Sequence, residues 1–225
     1  VHVTGVHLLP VAIAHQRRFG SKLIVDINER PASVKAKGSV FGALSRFEPG
    51  VIRAAMPRAS VVTVVAPGHA ELLREAYGVE SAVVVRNAPL SSWRHAWAPP
   101  PAGPPLRVVT VGGLFPGRAL EMLIRAAGRV RRQGGDVRIS IYGSGRPEYV
   151  ASLEALIEAE QVGDLVALEG RVHPPQVSET YARAHIGLAL YEAADPGNDS
   201  LSNKIIEVAA SGRPVLAGDL PENRA

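Results

Sequence analysis

Short β-branched runs alternate with stretches of helical period along the whole chain, and polar or Gly-rich segments separate them. In the first half, Val1 to Val3 reads as a strand, Leu8 to Arg18 as a helix and Lys22 to Ile27 as a buried strand. A mixed segment with Gly38 and Gly42 then leads to a helix over Arg46 to Met56. Strand Val61 to Val65 precedes Pro67, whose fixed φ suits the first turn of a helix ending at Tyr77-Gly78. Val83 to Val85 is a further short strand, and Arg86-Asn87-Ala88-Pro89 turns the chain away.

Four strand-loop-helix units fill the second half. Leu106 to Val111 runs into Gly112 to Arg118 and a helix over Ala119 to Arg132. Val137 to Tyr142 runs into Gly143-Ser144-Gly145-Arg146 and a helix over Pro147 to Glu160. Leu165 to Leu168 is followed by Glu169-Gly170-Arg171-Val172-His173 and a helix opened by Pro174-Pro175. The apolar run Ile186 to Leu190 feeds a polar loop and a helix from near Asn203. Gly212 supplies the left-handed stop, and Arg213-Pro214 leads into a last strand, Val215 to Ala217.

This alternation predicts an α/β protein with two parallel-sheet domains. Residues 1–98 form the first, 106–225 the second, and Pro-rich 99–105, able to support neither helix nor paired strand, the linker. Four successive strand ends of the second domain carry Gly or polar loops on one sheet edge, where ligands of open α/β sheets bind.

Composition narrows the chemistry. The 225 residues contain no Cys, which excludes disulfides and thiolate metal sites. No apolar run approaches the ~20 residues of a membrane span, and Val1 opens into a strand without a signal-peptide pattern, so the expectation is a cytoplasmic protein. Charge is uneven. Residues 1–98 hold 12 Lys and Arg against 6 Asp and Glu, for +6, whereas residues 99–225 hold 13 against 15, for −2. A basic first half fits an anionic membrane surface, an anionic acceptor or a solvated Arg-rich face. Nucleic acid fits poorly, because aromatics are only 5% and do not interleave with the basic clusters. The seven His residues lack ligand spacing, so no metal is expected.

The loop before Asn203 is an anion site by its elements alone. Free N–H groups of a first helical turn meet the positive end of the helix dipole, with Lys204 and Glu207 close by. A cation would take phosphate oxygens, and a carboxylate could accept ribose hydroxyls. Lys204 is the only Lys beyond Lys37, and Glu207 lies among Ile205, Ile206 and Val208, where a charge needs a partner. Gly112-Gly113 and Gly143-x-Gly145 either open the backbone to phosphate or serve tight strand-to-helix turns. Neither matches G-x-G-x-x-G, which counts against a dinucleotide dehydrogenase.

Together these residues resemble the retaining glycosyltransferases of the GT-B fold, family 4, over essentially the whole chain. The most specific match is the acidic-x7-Glu motif, Asp199 to Glu207, followed by Ala210 to Val215. The subgroup with Asn203-Lys204 inside the motif fits best, with Ser202 in place of a proline. Supporting matches are Gly112 to Arg118, Tyr142-Gly143-x-Gly145, Glu169 to Val172, Tyr181 to Ala184 and Val85 to Ala88.

The resemblance implies two Rossmann-like domains facing a cleft and a nucleotide-sugar donor, with no metal or other cofactor. Glu207 would bind the donor ribose, Asp199 the transferred sugar, and Arg118 with Lys204 the diphosphate. Gly112, Gly113, Gly143, Gly145, Ser202 and Asn203 would surround them, and backbone near Arg171 and Val172 would hold the base. Thr4, Gly5, His7, Asn28 and Glu29 would line the acceptor side, with Thr4 and Asn28 standing where the family carries histidines. Further strands before Val1 and a closing helix after Ala225 are also implied. A nucleotide-sugar epimerase of the same fold and a non-catalytic nucleotide- or glycan-binding relative are the alternatives.

Overall fold

The structure is a computed structural model that describes residues 1–28, 47–91, 98–191 and 202–224. Asp199, Glu29, Gly38, Gly42 and the expected helix start at Arg46 lie outside the described residues. The chain divides into two compact units, one built on Val1–Asn87 and joined by residues from Leu220 onward, the other on Ala88–Asp195 with Ser202–Asp219.

The first unit runs β1 (His2–Thr4), α1 (Leu9–Phe19), β2 (Ile24–Ile27), α2 (Glu48–Ala55), β3 (Val61–Val64), α3 (Pro67–Tyr77) and β4 (Val83–Val84). Its sheet is parallel in the order β1-β2-β3-β4, so each strand adds beside the one before. Pro67 opens α3 and Gly78 closes it in the left-handed conformation, with φ 68°. Leu9, Leu23, Val25, Ile27, Ile52 and Leu73 fill the core. At about 1.5–3 kcal/mol for each fully buried large aliphatic side chain, this set is the main stabilising term of the unit.

The second unit runs β5 (Leu106–Val111), α4 (Leu120–Arg132), β6 (Val137–Tyr142), α5 (Pro147–Ala159), β7 (Val166–Gly170), α6 (Val177–Ala182), β8 (Ile186–Ala189), α7 (Asn203–Ala210) and β9 (Val215–Ala217). All pairings in its sheet are parallel, in the order β7-β6-β5-β8-β9. The order reverses between β5 and β8. Strands built outward from β5 on one side, then on the other, leave a gap between the two crossover connections at the carboxyl ends of β5 and β8. Ile124, Ile141, Leu153 and Leu188 pack the core.

Some element bounds differ from those the sequence predicts. β7 extends to Gly170 rather than stopping at Leu168, with its pairing register shifting between Ile141 and Tyr142 of β6. Pro174-Pro175 opens a short 3-10 turn, Pro174–Gln176, of the kind common at helix N-termini, and α6 starts only at Val177. A short helix, α8 (Pro221–Arg224), follows β9.

The Pro-rich stretch packs as part of the second unit. Arg213, nearly fully buried, donates to the carbonyls of Ala98 (2.8 Å), Pro99 (3.4 Å) and Ala182 (2.6 and 3.1 Å). His185 reaches the Pro101 carbonyl at 2.7 Å and accepts from the Arg107 amide at 2.9 Å.

Candidate functional site

The switch point of the second sheet gathers most of the predicted donor-side residues. Gly112 and Gly113 follow β5, and Tyr191 follows β8. α7 enters from the same edge, capped by Ser202, whose hydroxyl accepts from the Lys204 amide at 3.3 Å. One helical turn later Glu207 lies on the same side of α7, because residues three apart are neighbours on a helix.

Lys204 is 9% exposed and its ammonium donates to Thr110 Oγ1 at 3.4 Å. It lies directly against Gly112. A Cβ built there would fall 2.8 Å from Lys204 Cε and 3.2 Å from its Nζ, so glycine is what lets the lysine cross the strand end. Burial first and the neighbouring Arg118 guanidinium second, against the opposing pull of Glu207, bring the Lys204 ammonium down to about 8. Burial likewise pushes the Glu207 carboxyl above its ordinary range, with Lys204 opposing. A desolvated cation and a desolvated carboxylate on adjacent turns lack compensation from water, which an ionic, hydroxyl-bearing ligand could supply.

Arg118 lies between two aromatic rings. Its Cζ is 4.4 Å from the centroid of Phe115 and 4.5 Å from that of Tyr191, and the Lys204 ammonium is 5.6 Å from the Tyr191 ring. The Tyr191 hydroxyl meets Ser202 Oγ at 2.6 Å. Arg118 Nε is buried with no hydrogen-bond partner among the described residues. Below the strand end, fully buried Tyr181 accepts from the Val111 amide at 3.2 Å through its hydroxyl, and burial raises its phenol above the ordinary range.

For Gly143 and Gly145, local packing accounts for the missing side chains. A Cβ on Gly143 would collide with the Gly112 carbonyl, and one on Gly145 with the Leu114 carbonyl. The Gly143 amide donates to the Gly170 carbonyl at 2.6 Å, and Leu114 N to the Ser144 carbonyl at 2.9 Å. The two loops are knitted together, so the Gly143 amide is not free for phosphate. Arg171 is exposed and Val172 half-buried, in the segment after β7, and Asn203 is exposed at the start of α7. Gly113 is exposed beside the Phe115 ring.

On the first unit, Thr4 and Asn28 lie at the carboxyl ends of adjacent strands. Gly5 donates its amide to the Asp26 carbonyl at 2.8 Å, and His7 is exposed in the 3-10 turn Val6–Leu8. With its amide nitrogen turned towards Asp26, Asn28 donates to both carboxylate oxygens, at 3.2 and 3.1 Å. Asp26 also accepts from Thr63 at 2.7 Å. Among the described residues no group of three or more His, Cys, Asp or Glu could hold a metal ion, and no helix is long and apolar enough to cross a membrane.

Phe115 and Tyr191 lie against the predicted site residues, and sequence reasoning passed over them. Their signal was present only as aromatic residues next to the two loops already singled out.

The two parallel-sheet units and the switch-point crevice define a GT-B protein. Residues 105–225 match the model of the glycosyl transferases group 1 family, and the chain belongs to that family. No curated protein matches the sequence. Among solved structures, HepE of Anabaena in complex with UDP superposes with a TM-score of 0.75 at 16% identity, covering 99% of this chain and 61% of that one. A variant of S. aureus TarM, in complex with fondaparinux, α-GlcNAc-glycerol and UDP, superposes with 0.69 at 17% identity, covering 98% and 41%. The pneumococcal O-GlcNAc transferase GtfA, with UDP and GlcNAc, gives 0.65 at 17%, covering 94% and 40%. This chain therefore spans about two fifths to three fifths of those proteins' lengths.

Proposed function

We propose that the protein is a retaining glycosyltransferase that takes a nucleotide-sugar donor on its second unit and an acceptor on its first. The observation that carries this reading is the desolvated Lys204 ammonium laid across Gly112 at the switch point, beside Arg118 and one turn from Glu207. Lys204 and Arg118 hold the donor diphosphate, Glu207 accepts from the ribose hydroxyls, and Asp199 contacts the transferred sugar. Ser202 and Asn203 frame the phosphates at the start of α7, Gly112 and Gly113 border them, and backbone near Arg171 and Val172 holds the base. Complexes of HepE and GtfA with UDP make uracil the first base to try.

In the transfer step the bond from the anomeric carbon to the β-phosphate oxygen breaks, and the acceptor oxygen bonds to that carbon on the same face. The acceptor proton passes to the departing phosphate oxygen. Charge developing on the diphosphate is met by the two cations, so the reaction needs no metal ion. Thr4, Gly5, His7, Asn28 and Glu29 form the acceptor side. The acceptor is a glycan, a lipid-linked saccharide or a natural-product precursor, as in polysaccharide biosynthesis. The basic residues 1–98 favour an anionic acceptor or an anionic membrane face on the cytoplasmic side, and residues 99–105 act as the interdomain linker.

Calorimetric titration with UDP, GDP, ADP and TDP, followed by transfer assays with the matching sugars in EDTA, tests the proposal. One nucleotide should bind, Glu207→Ala should weaken it, and NMR should show product with the donor's anomeric configuration. Unchanged affinity in Glu207→Ala, or an inverted product, would overturn the reading.

A further inference from the structure

We propose that Tyr191 is a positioning residue that sets the two phosphate-binding cations as a single rigid unit, with Phe115 as the opposing wall. The inference rests on the donor reading above and deepens it. Arg118 is a long side chain with several rotatable bonds, and left free it would lose that freedom on meeting a ligand. Here its Cζ lies over two rings at once, 4.4 Å from one ring centroid and 4.5 Å from the other. With two rings against the guanidinium, its N–H groups are the part that can meet a ligand. An edge-on guanidinium donates two parallel hydrogen bonds to a pair of oxygens, the geometry that suits phosphate.

Tyr191 does more than cover one face. The Lys204 ammonium lies 5.6 Å from the same ring, and the phenol hydroxyl is 2.6 Å from Ser202 Oγ, the cap of α7. One side chain thus touches Arg118 from β5's loop, Lys204 from α7 and the cap that fixes where α7 begins. Without the ring, two like charges, of which the Arg118 guanidinium already lowers the Lys204 ammonium, would be free to move apart. With it, electron-rich aromatic faces offset their repulsion and hold them close enough to act on one diphosphate. Phe115 is 43% exposed, which is costly for a phenylalanine with no partner and is explained by the guanidinium it covers.

The test uses the full chain and two readouts. First, NMR of the ligand-free protein should show Arg118 side-chain protons shifted upfield by the flanking rings in wild type and in Tyr191→Phe, and moved towards ordinary values in Tyr191→Leu and Phe115→Leu. Second, titration with UDP should give about tenfold weaker binding for Tyr191→Leu and about threefold or less for Tyr191→Phe, which keeps the ring and loses the hydroxyl. Adding Tyr191→Leu to Arg118→Ala should weaken binding less than it does in wild type, because the ring then has one cation fewer to position. An absent ring shift overturns the clamp even if UDP binds. So does a Tyr191→Leu effect of equal size with and without Arg118. A ring shift in a protein that binds no nucleoside diphosphate supports the clamp and refutes the donor reading instead. Exposed Phe115 keeps the test open should Tyr191→Leu fail to fold.

Discussion

The two units are built from the same parts and differ in one topological respect. In the first, each strand adds beside its predecessor, β1-β2-β3-β4. In the second, the order turns back at β5, and β8 pairs on its other side. Only the second arrangement, among the described strands, parts two crossover connections and leaves a crevice between neighbouring strand ends. The chemistry follows that difference. At the first unit's strand ends the polar groups satisfy one another, with Asn28 and Thr63 both on Asp26. At the switch point, Lys204 and Glu207 are desolvated and Arg118 Nε is without a partner among the described residues. A self-satisfied edge needs no ligand to balance its polar groups, whereas an uncompensated one presents groups that a ligand can satisfy.

The largest effect expected on this contrast comes from Lys204→Met. Removing a cation from a desolvated diphosphate site should cost on the order of 30-fold or more in UDP affinity. The same change should stabilise the protein by about 1–3 kcal/mol in thermal unfolding, because a buried charge is replaced by an apolar chain. The linkage sign agrees. Lys204 titrates near 8 when folded against an ordinary 10.5, so between those values the unfolded chain binds more protons and stability rises with pH. That rise should disappear in the Met variant, as denaturant titrations at pH 7.5 and 10 would show.

Next in size, Gly143→Ala should destabilise the second unit by about 2–4 kcal/mol, since its methyl group meets the Gly112 backbone, whereas Gly113→Ala meets only the movable Phe115 ring and should cost under about 1 kcal/mol. Equal costs would mean that the two loops are not knitted as described. Glu207→Ala should weaken UDP about 10-fold or more through lost hydrogen bonds to its carboxylate. Smallest of all, Asn28→Ala should leave UDP affinity within about twofold while altering transfer. A large loss of UDP affinity there would erase the contrast between the units.

Much of this was legible in the sequence, for identifiable reasons. β5 and β6 were delimited correctly because each is rich in β-branched residues and ends at a Gly-bearing loop, Leu106 to Val111 before Gly112 and Val137 to Tyr142 before Gly143. Helix α7 announced itself through the apolar run that begins near Asn203 and through Gly212 beyond its end, while the Ser202 cap emerged only in the structure. The glycines were ambiguous. From sequence, Gly112 and Gly143 look alike, yet one makes way for a lysine and the other for a carbonyl, a distinction fixed by neighbours distant in sequence. The contacts of Arg118 with Phe115 and Tyr191 were invisible for the same reason, since they join the loop after β5 to the segment after β8, some seventy positions on. Proline at 174 and 175 was read as a helix start without the 3-10 turn that precedes α6.

The most direct test of the account is the pH dependence of UDP binding, measured by calorimetry from pH 7 to 9.5 in wild type and Lys204→Met. A diphosphate needs the charged form of Lys204, whose ammonium titrates near 8 when the site is free. Affinity should therefore hold below that pH and fall towards tenfold per unit above it, with proton uptake on binding, and the variant should bind weakly with a flat profile. Wild-type affinity that stays constant through pH 9.5, or a variant that binds as tightly as wild type, would contradict the claim that this lysine holds the donor diphosphate.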